Sequence, residues 1–485
     1  MTSSSRASAE SASAAVLQLL EDGSPVSSLA HAFAKRGHEL YLVGGPVRDA
    51  WLGRAHRDLD FSTDALPEVT QEVIAPFVAN VWLQGVRWGT VGAEVAGTHV
   101  EITTFRIEKY QPASRHPEVS FESDVVTDLS RRDFTVNAMA IKLPGNEMVD
   151  PFGGLADLKS GLLKTPLDPK LSFTDDPLRM LRAFRFASQL GFRIDQSAVD
   201  AISELKDHLV TVSAERIRDE LSGLLLGQAP MTALALAERS GLTALFLPEL
   251  SALKLQQDPI HRHKDVFSHT LAVLERTDSK DLTLRLAALL HDIGKPRTRK
   301  IDPEGVTFHH HEVVGASMAK ARLQALRYPN EIVADVSELI RLHHRFHTYS
   351  QGWSDSAVRR YVRDAGPLLG KLNALVRADC TTRNASKANR LAARMDQLEA
   401  RVASLAEREE LERIRPDLDG RQVMAYLGVP PGPTVGEALE WLLEVRLEEG
   451  LLEAGEAFTR LDEWARARRL EPAGEELPRV EKKKT

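Results

Sequence analysis

The stretch YLVGGPVRDAWLGRAHRDLDF, residues 41–61, decides the fold of the chain. Its apolar start, Tyr41–Val43, predicts a β-strand, and Gly44-Gly45 then allows a sharp turn and a close approach to a ligand. A proline at the next position suits the first turn of a helix, so we expect one short helix over residues 46–52. N–H groups at a strand-to-helix turn suit a phosphate, and Arg48 adds a forked donor for a triphosphate oxygen.

The same stretch ends in a second predicted strand that carries two carboxylates. Because side chains alternate between the faces of a strand, Asp58 and Asp60 share one face, and Leu59 and Phe61 take the other. Adjacent carboxylates repel each other unless a cation lies between them, and hard oxygen ligands suit Mg²⁺. Two such ions can hold the attacking and leaving oxygens of an in-line phosphoryl displacement. The strand-like alternation around Glu101 allows a third carboxylate beside them, with a solvated strand residue as the alternative. The combination of strand, glycine turn, arginine, short helix and paired carboxylates predicts nucleotidyl transfer.

The composition limits the classes of protein to which the sequence can belong. The 485 residues suffice for roughly two to four domains, and they contain no apolar run of transmembrane length, so we expect no membrane association. The single cysteine, Cys380, excludes an internal disulfide and fits a reducing cytoplasm. The net charge of −7 does not suggest a generic nucleic-acid binder, so any RNA contact must come from local arginine clusters.

The arrangement of strand, paired glycines, arginine, short helix and strand-borne DxD resembles the nucleotidyltransferase head of the DNA polymerase β superfamily. It most closely resembles the class II tRNA nucleotidyltransferases (CCA-adding enzymes) and bacterial poly(A) polymerases. The matched residues are Gly44, Gly45, Arg48, Asp49, Leu52, Gly53, Asp58 and Asp60. The resemblance implies an α+β fold, with a mixed sheet and helices in the head, followed by an all-α neck, body and tail.

That resemblance also implies roles for these residues. Asp58 and Asp60 would carry the catalytic Mg²⁺, and Glu101 lies in a stretch that matches the family's third-strand pattern. The nucleotide-binding residues implied in this part of the chain are Gly44, Gly45 and Arg48. The polar stretch 107–125 is interpreted as a mobile loop near the site.

A further head motif is RRDFTVNA, residues 131–138. Adjacent arginines are usually solvated, but here they precede a half-apolar predicted helix, with Asp133 and Asn137 one turn apart. The stretch matches the family pattern. The resemblance implies that Arg132 contacts the nucleotide sugar or triphosphate and that Asp133 lies near the ribose.

A third segment, DDPLRMLRAFR at residues 175–185, repeats arginine every three positions along a predicted helix. Like charges in such a stripe repel one another, so we expect an anionic partner. The segment resembles the family's templating motif EDxxR, with Asp175 in place of the glutamate. By resemblance, Asp176 and Arg179 read the Watson–Crick edge of CTP or ATP without a nucleic-acid template. A carboxylate can accept from the exocyclic amino group of either base. Arg182 and Arg185 are implied to bind triphosphate or the tRNA backbone.

A second constellation centres on LLHDIGKP, residues 289–296. His291 and Asp292 adjoin near a predicted helix end, where both can reach one metal. The pattern resembles the HD superfamily of metal-dependent phosphohydrolases. The resemblance implies His269 and Asp379 as outer ligands.

The remaining histidine ligand is ambiguous in the sequence. His311 fits the family's His-Glu spacing, while the choice between His343 and His344 stays open. The ion could be Mg²⁺, Mn²⁺, Ni²⁺ or another transition metal. Such tails include enzymes that remove phosphate from 2′,3′-cyclic or 2′-phosphate ends, and a degenerate domain kept for packing is the alternative.

The patterns divide the chain into six parts. The expected parts are a disordered N-terminus at 1–20, a nucleotidyltransferase head at 25–165, a helical neck and body at 166–255 that binds RNA and the nucleotide base, an HD domain at 256–385, a helical module at 386–470 and a disordered tail at 471–485.

We interpret the chain as a cytoplasmic, template-independent enzyme that adds C, C and A to tRNA 3′ ends from CTP and ATP. A poly(A) polymerase shares every head motif, and an enzyme that adds only part of CCA fits as well. An HD phosphohydrolase with a non-catalytic head is the alternative from another class. The oligomeric state is left open.

Overall fold

The computed structural model describes residues 24–54, 58–78, 80–83, 85–95, 97–109, 118–121, 124–254, 265–303, 305–346, 353–380, 385–409 and 414–474. The disordered segments expected at 1–20 and, from residue 475 onward, at the C-terminus lie outside the described residues. The chain forms two compact units. The first comprises residues 1–252 with 325–328, and the second comprises 253–324 with 329–485.

A seven-stranded mixed sheet forms the head of the first unit, in the order β3-β4-β5-β2-β1-β8-β9. The strands are β1 (Leu40–Val43), β2 (Asp58–Thr63), β3 (Val81–Trp82), β4 (Thr90–Val95), β5 (Thr98–Thr104), β8 (Ala140–Leu143) and β9 (Glu147–Val149). β2 and β5 run parallel, and every other neighbouring pair is antiparallel. The α+β fold expected from the sequence is therefore confirmed.

The strand–turn–helix–strand prediction for residues 41–61 is confirmed within one residue at each helix end. All four residues of β1 are buried at the centre of the sheet, as their unbroken apolar run requires. Gly44 then takes φ 72°, a left-handed conformation that a glycine adopts without steric cost, and helix α2 follows over Gly45–Trp51. The turn thus lies at the end of β1, beside the first residues of its antiparallel neighbour β2.

Two local predictions near the head were wrong. The segment interpreted as a mobile loop contains strands β6 (Arg106–Lys109) and β7 (Glu118–Phe121), which pair antiparallel; residues 110–117 lie outside the described part. The helix expected after Arg132 is only a single 3₁₀ turn over Thr135–Asn137. Both errors arise because polar and short segments carry little periodicity.

Helices fill the rest of the first unit. They are α1 (Pro25–Lys35), α3 (Pro67–Ile74), α4 (Val125–Ser130), α5 (Gly154–Ser160), α6 (Pro169–Asp175), α7 (Leu178–Leu190), α8 (Gln196–Leu205), α9 (Ala214–Leu225), α10 (Pro230–Arg239), α11 (Thr243–Phe246) and α12 (Pro248–Ser251). A short parallel pair, β10 (Leu162–Leu163) with β11 (Arg193–Ile194), accompanies them. Helix α7 buries Leu178, Leu181 and Phe184 along one stripe, and its arginines, each one position later, form the adjacent stripe.

In its described residues, the second unit is helical apart from one hairpin, β12 (Lys300–Asp302) with β13 (Gly305–Thr307). Its helices are α13 (Val266–Glu275), α14 (Leu282–Leu290), α15 (Lys295–Thr298), α16 (His311–Ala325), α17 (Asn330–Leu342), α18 (Asp355–Ala365), α19 (Leu369–Asp379), α20 (Ala385–Glu409), α21 (Gly420–Leu427), α22 (Pro433–Glu449) and α23 (Ala454–Ala467). The last three helices share their own apolar core, which includes Leu442, Leu461 and Trp464. Among the described residues, no helix has the length and apolarity needed to cross a membrane.

Candidate active site

The three predicted carboxylates lie on one face of the sheet. In the parallel pair β2–β5, Asp60 lies opposite Glu101 and Asp58 lies opposite His99. Residues paired in this way point to the same side, so Asp58, Asp60 and Glu101 form one carboxylate cluster. Asp60 and Glu101 line a cleft of about 1350 Å³. The Asp58 side chain is 67% exposed at the rim of the cluster, with Oδ1 3.9 Å from Nδ1 of His99.

The glycine turn lies beside this cluster and leaves room for an arginine. A Cβ added at Gly44 would lie 2.8 Å from Nη1 of Arg132 and 4.0 Å from Oδ2 of Asp60. A side chain here would therefore displace the guanidinium from the turn. Arg132 is held in place by Ser62 and the buried carboxylate of Asp128, at 3.2 and 3.3 Å. Gly44, Gly45 and Arg132 all line the cleft.

Arg48 also lines the cleft, but much of its guanidinium already has partners. Nη1 donates to Oδ1 of Asn137 at 2.7 Å, and Nε donates to Oδ1 of Asp49 at 2.9 Å. The guanidinium lies 5.2 Å from the centre of the Phe186 ring. Arg48 is therefore held at the cleft wall by two residues of the head and by a ring of α7.

Asp133 is a buried acceptor at the centre of a hydrogen-bond network. Its carboxylate accepts from the Asn137 amide at 2.9 Å and from Nε of Arg182 at 2.7 Å. Burial alone would raise the pKa of Asp133, but Arg182 outweighs it and holds that pKa at about 2. Because its oxygens face these donors, Asp133 fixes Asn137 and Arg182 in the cleft wall.

The arginine stripe of α7 meets carboxylates of the chain itself. Nε of Arg185 donates to Glu220 at 2.6 Å, and Nη1 of Arg182 lies 3.6 Å from the same residue. Burial lowers the pKa of Arg185 despite Glu220. Arg179 is buried and donates to Oγ of Ser172 at 2.9 Å. The anionic partner that the stripe requires is thus partly internal, yet all three arginines still line the cleft.

Asp176 precedes α7 and joins this wall. One of its oxygens accepts from the N–H of Leu178 at 3.1 Å, and the other accepts from Nη2 of Arg216 at 3.0 Å. A carboxylate has about four lone-pair positions, so it keeps accepting capacity toward a base. Arg216 also lines the cleft, although the sequence did not predict it as a site residue.

The sequence also missed an aromatic and basic side of the cleft. These lining residues are Trp82, Trp88, His99, Arg106, Arg131 and Phe186. Single aromatic residues in an apolar strand give no signal that distinguishes an exposed ring from a buried one. Only the pairing of strands shows that Trp82 and His99 share the face of the carboxylates.

The second unit brings together every residue predicted for the HD site. His269, His291 and Asp379 form one group of potential ligand atoms, and Asp292, His311 and His343 form another, each within 4.8 Å. The two groups adjoin, because Nε2 of His291 lies 3.3 Å from Oδ2 of Asp292. His343, which the sequence could not distinguish from its neighbour His344, is the histidine that contributes to the cluster.

Backbone contacts fix the orientation of three buried histidines in this cluster. Nδ1 of His291, His311 and His343 donates to the carbonyl of residue 288, 308 and 340, at 2.8, 2.9 and 2.6 Å respectively. A ring whose Nδ1 donates to a carbonyl presents Nε2 as a lone pair, the arrangement typical of metal-ligating histidine. Within the described residues, the buried Nε2 atoms of His291 and His311 have no hydrogen-bond partner. The donor set therefore fits a divalent metal ion.

The electrostatics of the HD cluster favour a bound cation. Burial by itself lowers the pKa of His291, but Asp292 and Asp379 outweigh it and raise that pKa to about 10. Burial lowers the pKa of His343 to about 3, so this ring is neutral at physiological pH. Buried carboxylates thus attract positive charge, which a metal ion can supply in place of a proton.

A carboxylate cluster on a mixed sheet, beside a glycine turn and an arginine-lined cleft, defines a nucleotidyltransferase head; the second unit carries an HD-type cluster. Three families match these regions. The poly A polymerase head domain matches residues 40–164, the family described as a probable RNA and SrmB-binding site of polymerase A matches 191–254, and the HD domain matches 266–411.

Relatives extend this match to nearly the full chain. The A-adding tRNA nucleotidyltransferase of Deinococcus radiodurans is 35% identical over 87% of this chain and 95% of its own length. The CC-adding tRNA nucleotidyltransferase of Thermus thermophilus is 33% identical over 90% and 96%. The crystal structure of the Bacillus stearothermophilus CCA-adding enzyme in complex with CTP superposes with a TM-score of 0.66, at 25% identity, over 92% and 98%. The chain belongs to the tRNA nucleotidyltransferase family, as the sequence resemblance predicted, and membership implies use of a divalent metal.

Proposed function

We propose that this chain adds C, C and A to the 3′ ends of tRNA, using CTP and ATP and no nucleic-acid template. The observation that carries the proposal is the in-register placement of Asp60 and Glu101 in one cleft with the glycine turn and Asp176. The solved relative named as a CCA-adding enzyme in complex with CTP supports the same substrate class.

The proposed reaction is an in-line displacement. The 3′-oxygen of the tRNA forms a bond to the α-phosphorus, and the bond to the bridging oxygen breaks to release pyrophosphate. Asp58, Asp60 and Glu101 are proposed to hold Mg²⁺, since all three offer hard carboxylate oxygens. When bound there, Mg²⁺ lowers the pKa of the attacking hydroxyl and neutralises developing charge.

The other cleft residues are proposed to bind and select the nucleotide. Gly44 and Gly45 let the backbone approach the triphosphate, and Arg48 and Arg132 contribute positive charge. Asp176 and Arg179 are proposed to read the base edge, and Arg182 and Arg185 to face the triphosphate or the tRNA backbone. Asp133 supports them by holding Arg182.

An incorporation assay tests this proposal. tRNA that lacks CCA is incubated with Mg²⁺ and both nucleotides, and either the CTP or the ATP is labelled at the α-phosphate. We expect label in the tRNA with the intact chain and none with Asp58→Ala. Retained incorporation by Asp58→Ala would refute the assignment of the carboxylates.

Addition of only part of CCA is the second candidate. Two relatives that match over nearly the whole chain are named as A-adding and CC-adding tRNA nucleotidyltransferases. Label from only one of the two nucleotides, on a tRNA that offers the matching 3′ end, would favour this candidate.

We further propose that the second unit binds a divalent ion and hydrolyses phosphate ends of RNA. The proposed ligands are His269, His291, Asp292, His311, His343 and Asp379, supported by the two buried Nε2 atoms that lack a partner in the described region. Metal analysis by mass spectrometry of a His291→Ala, Asp292→Ala double variant tests this. Unchanged metal content relative to the parent chain would contradict it.

The division into head, neck and body, HD domain and C-terminal module is proposed with the boundaries given above, and the HD family match beyond residue 385 favours a later end for the third part. A cytoplasmic location is also proposed. It is supported by the free thiol of Cys380 and by tRNA as the substrate.

A further inference from the structure

A flat aromatic surface lies at the edge of the sheet, beyond the carboxylates. Trp82, on the edge strand β3, is 41% exposed. Its indole ring lies 5.3 Å from the imidazole of His99, centre to centre, with 28° between the ring planes. We call this stacked pair the aromatic platform. Both rings line the same cleft as Asp60 and Glu101.

Strand pairing aligns the platform with the carboxylates. Trp82 pairs with Gly92, Gly92 pairs with Glu101, and Glu101 pairs with Asp60. Paired residues on neighbouring strands face the same side, so these four positions form one row across the sheet. Because neighbouring strands are about 4.8 Å apart, Trp82 lies about 10 Å from Glu101 along this row.

Gly92 lets the indole of Trp82 lie close over β4. A Cβ added at Gly92 would lie 3.5 Å from Cε3 and 3.6 Å from Cβ of Trp82, in van der Waals contact with that side chain. The indole therefore lies over Gly92 and reaches toward β5, where it stacks with His99. This brings the aromatic pair onto the same face as Glu101 and Asp60, and a side chain at Gly92 would push the indole away.

The geometry of phosphoryl transfer indicates which substrate reaches this side. The attacking and leaving oxygens lie roughly in line, on opposite sides of the phosphorus. The glycine turn, Gly44-Gly45, lies at the end of β1, on one side of the carboxylate strands β2 and β5. In the sheet order, β4 and β3 lie on the other side. If pyrophosphate leaves toward the turn, the attacking hydroxyl approaches over β4 and β3.

We propose that the aromatic platform stacks the 3′-terminal base of the tRNA, so that the 3′-hydroxyl of the terminal ribose points toward Glu101 and Asp60. This inference rests on the proposed function and adds a binding site for the acceptor end. Every base has a π face, so stacking on Trp82 tolerates different bases. That tolerance suits an enzyme whose acceptor ends in a different nucleotide as addition proceeds.

Steady-state kinetics of three variants test the platform. We expect Trp82→Ala to raise KM for tRNA lacking CCA about ten-fold, the loss typical of one stacked base, with KM for CTP unchanged. Trp82→Phe should restore most of the affinity for tRNA, because it keeps an aromatic face. Leu83→Ala is the matched control: Leu83 is the exposed neighbour of Trp82, 48% accessible, and is not among the residues that line the cleft. Its KM for tRNA should equal that of the parent chain.

An acceptor with an abasic 3′-terminal nucleotide separates stacking from other effects. The parent chain should lose about ten-fold in KM on this acceptor, and Trp82→Ala should lose nothing further. The platform would be overturned if the abasic acceptor and Trp82→Ala each raised KM for tRNA independently, or if Trp82→Ala raised KM for CTP and not for tRNA. Either result could occur in an enzyme that still adds nucleotides, so the proposed function would stand. Failure of the parent chain to extend any tRNA would instead overturn the proposed function, and the platform with it.

Discussion

Asp133→Asn is the substitution whose effect can be worked out most fully from the structure. The carboxylate is buried and accepts from Nε of Arg182 at 2.7 Å, from the Asn137 amide at 2.9 Å and from the N–H of Phe134 at 2.8 Å. Asparagine preserves the shape but removes the charge. Arg182 is then left with Glu220, at 3.6 Å, as its nearby carboxylate.

The shifted pKa of Asp133 gives the size of the effect. It falls from 3.8 to about 2, and at 1.36 kcal/mol per pKa unit the charged form contributes on the order of 2 kcal/mol to the folded state. Because the folded pKa is the lower one, this contribution is fully present above about pH 4 and is lost as the pH falls through about 2. The loss of folding stability in the variant should therefore be constant from pH 5 to 8 and should shrink as the pH falls below about 4.

Hydrogen exchange of peptides from α7 measures this local stability. In the Asp133→Asn variant we expect exchange to be on the order of 30-fold faster at pH 7, after correction for intrinsic rates, and kcat/KM for CTP to fall. Glu204→Gln is the matched control, since Glu204 pairs with Lys170 at 2.7 Å but both side chains are more than half exposed. It should leave exchange unchanged. Equal effects of the two variants would refute the argument from burial.

Three further perturbations test the head. Gly44→Ala should abolish nucleotide incorporation, because the added Cβ would lie 2.8 Å from Nη1 of Arg132. Gly37→Ala is the control, since Gly37 also has a positive φ, 81°, but no atom lies within 4 Å of its Cβ position. This control should keep full incorporation and lose only about 1 kcal/mol of folding stability in a thermal melt. Glu101→Gln should lower kcat for incorporation about 100-fold or more and raise the Mg²⁺ concentration that gives half-maximal rate; an unchanged Mg²⁺ dependence would place Glu101 outside the metal site. EDTA should stop incorporation, and added Mg²⁺ should restore it; activity that survives chelation would contradict the metal assignment.

The local part of the site was predictable from the sequence, because it is built from neighbours along the chain. Gly44-Gly45 follows an apolar run, and alternation alone places Asp58 and Asp60 on one face. The register that brings Glu101 beside Asp60 was expected from family resemblance, and the structure places them in one pair. Short-range rules were sufficient wherever the chemistry stays within one strand or turn.

Contacts between distant segments were not predictable in this way. The arginine stripe indicated an anionic partner, but periodicity could not show that Asp133 and Glu220, 49 and 35 residues from their arginines, would supply it. Trp82 gave no signal, since its exposure depends on β3 being an edge strand. The choice of His343 over His344 likewise required the three-dimensional placement of α17 beside the other ligands.

Sequencing of product 3′ ends tests the central claim most directly. The purified chain and Mg²⁺ are incubated with tRNA ending at the discriminator base, with CTP alone, ATP alone and both. The account predicts ends in CC with CTP and complete CCA that then stops with both nucleotides. Long A tails, also on unrelated RNA, would contradict it in favour of a poly(A) polymerase. Addition that halts at CC with both nucleotides present would restrict the activity to part of CCA. The same holds if this tRNA is not extended but a second tRNA, already ending in CC, receives A.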